Sequence, residues 1–389
     1  MIDSKFKMVY VTPALYMAGG VERVLTLKAN YFADHLGYDI TIILTEGKDK
    51  PLFYPLSKKI KVINLGIGFE ELWTCNFLKK IFVYLKKQRR YKKALTNELM
   101  RLRPDITISL LRREINFINQ IKDGSRKIGE LHVNRANYRN FEANDTNIVK
   151  TLFAKIWMRS LVSKLKHLDQ FVVLTNEDKM AWPELKNVIV IPDPLSFIPE
   201  SISPLTAKRV IAVGRYHYQK GFDLLLKAWK TIETQCPDWQ LAIFGQGDRE
   251  SYQQLADELG LTHCILNGPT SNIQDEYNNS SLFVFSSRYE GFGMVLVEAM
   301  ACGLPVVSYA CPCGPRDIIS DGIDGVLVEK ENIDAMAHQL LLLINDEQKR
   351  QSMSIAAQKK ASVFQMNQIA SQWQNLFNEI MHYCPVKVD

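Results

Sequence analysis

Thirteen short apolar runs, most of them separated by segments of helical period, constrain this chain more than any other feature. In the first half they are Lys7–Thr12, Asp39–Thr45, Lys61–Leu65, Asp105–Leu110, Lys127–His132, Gln170–Thr175 and Val188–Ile191. In the second half they are Arg209–Gly214, Gln240–Gly245, Cys264–Asn267, Leu282–Ser286, Pro305–Ala310 and Gly325–Val328. Strands that alternate with helices imply parallel sheets covered on both faces. The segment Val21–Leu36 shows the helical pattern and stops at Gly37, as helices commonly do.

The two sets are parted by the stretch from Pro192 to Pro204, which carries four prolines and no helical period. With 389 residues, the chain is too long for one typical core. The expected architecture is α/β, with two doubly wound Rossmann-like domains facing across a cleft. Residues 1–193 form the first, 194–204 the linker and 205–364 the second. A final helical pattern, Gln365–Tyr383, aligns Ile369, Trp373, Phe377 and Ile380 on one face. The segment 365–389 is therefore expected to pack back on the first domain.

Composition excludes several classes. A hydrophobic content of 47% with 23% charged residues is that of a globular protein. No apolar run reaches the roughly 20 residues that span a bilayer, and the N-terminus shows no signal-peptide core, so a cytoplasmic location is expected. The seven cysteines are scattered, which argues against a disulfide framework or a zinc site. The only close pair, Cys311-Pro-Cys313, reads as a turn ahead of a redox or metal role.

Ligands of open α/β sheets bind outside the carboxyl ends of strands. One such end carries Arg288-Tyr-Glu290-Gly-Phe-Gly-Met-Val-Leu-Val-Glu298-Ala-Met-Ala-Cys-Gly303. That spacing puts Glu290 on a loop and Glu298 inside the helix that follows. The amides of Gly291, Phe292, Gly293, Met294 and Val295 would open that helix as donors to hydroxyls or phosphate oxygens. Another strand end carries Val213-Gly-Arg215-Tyr-His-Tyr-Gln-Lys220-Gly221-Phe-Asp223. Arg215 and Lys220 beside a helix N-terminus make a diphosphate clamp, or else a solvated pair of surface cations.

These motifs, with Gly314-Pro-Arg-Asp-Ile-Ile-Ser-Asp-Gly-Ile-Asp-Gly325, resemble the donor domain of retaining, family-4 glycosyltransferases of the GT-B fold. Gly19-Gly20-Val-Glu-Arg is similar to the family's first-strand loop. The likeness spans nearly the whole chain and is more specific in the second half. It implies that Arg215 and Lys220 hold the donor diphosphate, Glu298 the ribose hydroxyls and Glu290 the donor sugar. Gly19 and Gly20 would let the backbone approach the diphosphate or acceptor. His132 matches the family's first-domain histidine near the transferred sugar, although a lone histidine is usually structural. Retention would proceed by front-face attack without a metal or other cofactor, and no Asp-x-Asp motif is present. Asp193 stands where many relatives have Asn; its charge would repel a diphosphate, and no role is assigned to it.

Charge points to partners. Residues 1–193 hold 33 Lys and Arg against 20 Asp and Glu, and the remainder hold 15 against 22. Phe77–Lys93 combines bulky apolar residues with eight cations and no acid, and Thr151–Lys166 is similar. Basic amphipathic helices suit an anionic membrane surface; alternatively their apolar faces pack on the sheet. No nucleic-acid motif accompanies them. The expected function is transfer of a hexose or N-acetylhexosamine, from a sugar nucleotide that is UDP-linked, to a lipid-linked or membrane-associated glycan. This would occur on the inner membrane face, in surface polysaccharide or lipopolysaccharide synthesis. Competing readings are transfer to a soluble acceptor, a non-catalytic nucleotide-sugar sensor, and an epimerase on a related fold.

Overall fold

The computed structural model describes residues 5–74, 76–138 and 148–382. They fall into two compact units, one drawn from within residues 1–174, 178–194 and 366–389, the other from residues 175–177 and 195–365. Each is a doubly wound parallel sheet.

The first sheet contains β1 (Lys7–Thr12), β2 (Asp39–Leu44), β3 (Lys61–Asn64), β4 (Ile106–Ser109), β5 (Arg126–Glu130), β6 (Gln170–Val173) and β7 (Val188–Val190). Their order is β3-β2-β1-β4-β5-β6-β7, all parallel. Alternate residues of a strand face opposite sides, and β1 shows it. Met8 and Tyr10 join a core with Ile369, Trp373 and Phe377 of the helix Met366–His382. Val9 and Val11 join another with Tyr91, Leu95 and Leu99 of the helix Phe77–Leu102. Both faces being covered explains why these strands read as continuous apolar runs rather than alternating ones.

The second sheet contains β8 (Arg209–Val213), β9 (Gln240–Phe244), β10 (Cys264–Asn267), β11 (Leu282–Phe285), β12 (Val306–Tyr309) and β13 (Gly325–Val328). Its order is β10-β9-β8-β11-β12-β13, again all parallel. Strand direction of winding reverses between β1 and β4 in one unit and between β8 and β11 in the other. A crevice for ligand opens at such a switch point, so the loops after β8 and β11 are where chemistry belongs.

The proline-rich stretch is not a free linker. From Leu195 it belongs to the second unit. The Leu195 amide donates to the Phe364 carbonyl at 2.7 Å, and the Ser203 amide to the Cys302 carbonyl at 2.9 Å. Irregular backbone can be buried because those amides find partners.

The two basic helices also differ. In Phe77–Leu102 the second half is anchored in the core. The first half exposes Ile81 (47%), Phe82 (71%) and Leu85 (52%) among exposed Lys79, Lys80, Lys86, Arg89 and Arg90. In Ile148–Leu165, Leu161 and Leu165 are core residues and Trp157 stacks on Tyr138, leaving Ile156 as its exposed apolar residue among those described. The side chains of Leu152 and Phe153 lie outside the described residues, as do Cys75 and Cys384.

Candidate functional site

The loop after β8 is shaped by Tyr216. Its phenol is buried and donates to the carbonyls of Ile243 (3.0 Å) and Asn267 (2.9 Å), while its amide donates to the Gln246 carbonyl at 2.6 Å. Tyr216 thus ties the loop to the ends of β9 and β10. Arg215, one residue earlier, is exposed, with no side-chain partner among the described residues. A turn over Tyr218–Lys220 follows, then Gly221 at φ 64°, then the helix Phe222–Gln235. The left-handed conformation favours glycine at position 221, and so does space: a Cβ there would overlap the Ser286 carbonyl oxygen.

That near-contact joins the loop to the end of β11. Ser286 Oγ donates to the Lys220 carbonyl (2.8 Å), and the Arg288 amide to the Gln219 carbonyl (2.8 Å). The Arg288 guanidinium donates to both carboxylate oxygens of Asp223, at 2.8 and 2.7 Å, and to the Tyr218 carbonyl at 2.7 Å. It also lies 3.9 Å from the centre of the Tyr218 ring. A bidentate Arg–carboxylate pair holds geometry as well as charge. Its effect is to set Lys220 against Glu290: Nζ donates to Oε1 at 2.6 Å, with side-chain exposures of 14% and 8%. Gln219 supports the same loop through the Tyr289 carbonyl at 3.0 Å.

After Glu290 the chain turns through Gly293, at φ 99°, into the helix Met294–Ala301, whose N-terminus has no side-chain cap. Met294 and Val295 open its first turn and are partly exposed; Gly291 is also partly exposed, while Phe292 is buried. First-turn amides lack intrahelical acceptors and carry the positive end of the helix dipole. Uncapped, they are donors for a ligand beside Glu290. Gly314 packs so tightly on this turn that a Cβ would overlap the Phe292 carbonyl oxygen. Cys311 and Cys313 lie buried in the preceding loop. Burial pushes the Cys311 thiol well up, away from the thiolate that redox or metal chemistry requires.

Glu298 lies in the helix interior, 3% exposed. Tyr277 donates its phenol to one carboxylate oxygen at 3.2 Å and Ser196 its hydroxyl to the other. The structure therefore brings Lys220 and Glu290 into contact and hangs Arg215 on the same loop. It places Glu298 deeper, held by hydroxyls of its own unit. A cavity of about 880 Å³ opens beside the Arg215 loop, at the ends of β9 and β10, lined by Gln246, Asp248, Arg249, Gln253 and Pro269 among others.

In the first unit, Gly19 precedes the helix Gly20–Asp34 at its N-terminus, again without a side-chain cap. A Cβ on Gly19 would overlap the Glu22 carboxylate; Gly20 is exposed. His132 sits two residues past β5, its side chain 6% exposed. Its Nε2 lies 3.2 Å from Glu130 Oε1 and its Nδ1 lies 3.3 Å from Asp193 Oδ1. Both nitrogens sit off the line of a good hydrogen bond, and the contacts are ion pairs when the ring is protonated. Burial alone would push the ring's pKa down; the Asp193 and Glu130 carboxylates outweigh it and lift it to about 9. Glu130, pushed up by burial, is brought down to about 2 by Lys28 and His132.

Asp193 is thus the partner that sequence reasoning missed. Its charge meets an imidazole in its own unit. Arg288 and Asp223 stand in two separate motifs, and their pairing is the other feature that the sequence does not show.

Residues 196–360 match the family described as glycosyl transferases group 1. The chain is 27% identical to the amylovoran biosynthesis glycosyltransferase AmsD of Erwinia amylovora over 96% of its length and 100% of AmsD. It is 25% identical to a Campylobacter jejuni α-1,4-N-acetyl-D-galactosaminyltransferase, whose name gives an undecaprenol-linked GalNAc acceptor, over 93% of the chain and 96% of that enzyme. Among solved structures, S. aureus TarM with fondaparinux, α-GlcNAc-glycerol and UDP superposes with a TM-score of 0.74 at 17% identity. That likeness covers 96% of the chain and 100% of TarM. The chain is a glycosyltransferase with the two Rossmann-like domains of the GT-B architecture.

Proposed function

We propose that this glycosyltransferase is a retaining, family-4 enzyme that moves a hexose or N-acetylhexosamine from a UDP-sugar to a lipid-linked or membrane-associated glycan. The Lys220–Glu290 contact at the β8/β11 switch point carries the reading. It puts a cation and a carboxylate side by side, next to uncapped amides and a second cation, Arg215. A sugar diphosphate presents the matching groups, phosphate anions followed by hydroxyls.

Arg215 and Lys220 take the diphosphate and neutralise the charge that grows on the leaving nucleotide. Glu290 accepts from the sugar hydroxyls, and the amides of Gly291 to Val295 donate to the same ligand. Glu298 takes the ribose hydroxyls, which requires its carboxylate to share or exchange the Tyr277 and Ser196 hydroxyls. The cavity beside Arg215 receives the base. Gly19 and Gly20 keep the first unit's loop open to diphosphate or acceptor, and His132 serves the transferred sugar.

The acceptor oxygen bonds to the anomeric carbon on the face from which the sugar–phosphate bond breaks. The acceptor proton passes to the departing phosphate oxygen, and UDP leaves. Positioning and fixed charge supply the rate, and the two side-chain cations do the electrostatic work without a metal. UDP in the TarM structure and the undecaprenol-linked acceptor in the Campylobacter enzyme's name favour that donor and acceptor.

The exposed Ile81, Phe82 and Leu85, set among lysines and arginines, suit an anionic bilayer. No helix among the described residues is long and apolar enough to cross a membrane. The enzyme would act at the cytoplasmic face in polysaccharide or lipopolysaccharide synthesis. Turnover of UDP-sugars with a lipid-linked glycan, with the product anomer read by NMR, tests the proposal. An inverted linkage, or no transfer from any nucleotide sugar, overturns it.

A further inference from the structure

Four charged side chains form a chain inside the first unit: Lys28, Glu130, His132 and Asp193. Their exposures are 1%, 1%, 6% and 7%. Lys28 comes from the helix after β1, Glu130 from β5, His132 from the loop after it and Asp193 from the segment after β7. Lys28 Nζ meets the same Glu130 oxygen that faces His132 Nε2. On its other side Lys28 Nζ stands 4.6 Å from the ring centre of Trp373, in the helix Met366–His382. Buried charges are costly unless paired, so a run of four gathered from the helix after β1 and the carboxyl ends of β5 and β7 calls for a reason.

We propose that Asp193 and Glu130 are positioning residues that hold the His132 ring as a fixed imidazolium. Glu130 is itself fixed by Lys28, over which the C-terminal helix sets Trp373. The geometry argues for the charged ring. Each ring nitrogen lies within 3.3 Å of a carboxylate oxygen, though off its hydrogen-bond line, and only the doubly protonated ring sets an N–H rather than a lone pair on both sides. Asp193 would meet a lone pair if the ring were neutral and protonated at Nε2; Glu130 would do so if it were protonated at Nδ1.

The three donors lie close enough to bracket a cation. Lys28 already supplies the positive charge at the shared Glu130 oxygen, and the imidazolium supplies the second. Other ionisable groups surround the ring. Arg112 and Tyr138 line a small cavity with it, and Tyr10, a buried phenol pushed well up by burial and by Glu130, feels the same carboxylate. Tyr138 donates to the Leu111 carbonyl.

The inference rests on the reading that His132 serves the reaction. A cation locked in position before substrate arrives stabilises developing negative charge without reorganising. It also commits the enzyme to a protonated ring across neutral pH, as an unpaired histidine would not be.

The test is a pH titration of the histidine ring signals of the full-length protein, with His132 assigned by loss of its peak in His132→Gln. The chain has seven histidines, so one missing peak is readable. We expect His132 to keep imidazolium shifts through pH 8 and titrate near 9, as its two carboxylates require. Asp193→Asn lowers that midpoint by about one pH unit or more and brings the alkaline loss of kcat/KM down with it. Asp193→Glu restores much of both. A wild-type midpoint near the ordinary histidine value of about 6.5, or an unmoved midpoint in Asp193→Asn, overturns the network. Wild-type turnover in His132→Gln overturns instead the role of the ring in the reaction, leaving the ring titration to judge the ion pairs by themselves.

Discussion

Replacing Lys220 by Met and Glu290 by Gln, singly and together, measures whether the donor site is built as described. The two charges approach to 2.6 Å while mostly shielded from water. At an effective dielectric constant of about 20 their gross attraction is roughly 6 kcal/mol. Loss of hydration offsets most of it, leaving the roughly 1.5–3 kcal/mol typical of a hydrogen bond to a charged group. Each single variant strands one ion in a poorly hydrated loop and should cost about 2–3 kcal/mol. The double variant strands none and should cost less than the sum by about 2 kcal/mol. For a domain of roughly 150–250 residues, 1 kcal/mol corresponds to about 2–4 °C in Tm. The coupling is then readable by thermal unfolding of the second unit's transition. UDP adds a second reading. At 100-fold above Kd it should stabilise the unaltered protein by about 2.7 kcal/mol, and Lys220→Met should lose most of that shift. Strict additivity within about 0.5 kcal/mol, with UDP stabilising all four proteins equally, would refute the argument that this pair forms the anion-binding corner.

Further outcomes follow from single residues. Gly221→Ala should cost about 1–2 kcal/mol for the left-handed backbone alone and more for the overlap with Ser286. Because Lys220 is its neighbour, UDP affinity should fall with stability; a variant with unaltered unfolding and binding would show that the loop is not constrained there. The first unit should lose stability as pH rises from about 6.5 to about 9. The folded-state midpoint of His132 lies above its unfolded value, so its contribution is complete below 6.5 and gone above 9. Unfolding in denaturant at pH 6 and pH 9.5 checks this, and an equal or higher stability at pH 9.5 would contradict it. Phe82→Glu should weaken flotation with anionic vesicles by about tenfold while leaving turnover of a soluble acceptor analogue unchanged; unaltered flotation would remove that helix from the membrane contact.

The strands were legible because each is a short apolar run bounded by turn residues, and burial on both sheet faces left no polar alternation to confuse the reading. Lys220 and Glu290 were legible because both sit at strand ends in recognisable spacing. Lys28 was not. It belongs to a helix whose neighbours alternate in the ordinary amphipathic way, and a lysine there reads as solvated; its 1% exposure depends on Glu130, 102 residues away in sequence, and on Trp373 of the last helix. Asp193 misled for the same reason, since its partner His132 is supplied by another strand. The prolines between Pro192 and Pro204 correctly announced irregular backbone, but composition does not reveal that amides such as those of Leu195 and Ser203 find carbonyls in the second unit. Arg288 and Asp223, 65 residues apart, belong to two motifs that each made sense separately; only the β8–β11 pairing shows that they clamp the loops together.

The most direct measurement is the equilibrium binding of UDP, GDP, ADP and dTDP to the full-length protein and to its Arg215→Ala and Lys220→Ala variants. The account predicts that a nucleoside diphosphate binds, UDP most tightly, and that each variant loses affinity by about 10²-fold, as expected when a charge-assisted contact of about 2.7 kcal/mol is removed. Binding that is absent for all four, or equally tight in the variants, would contradict it.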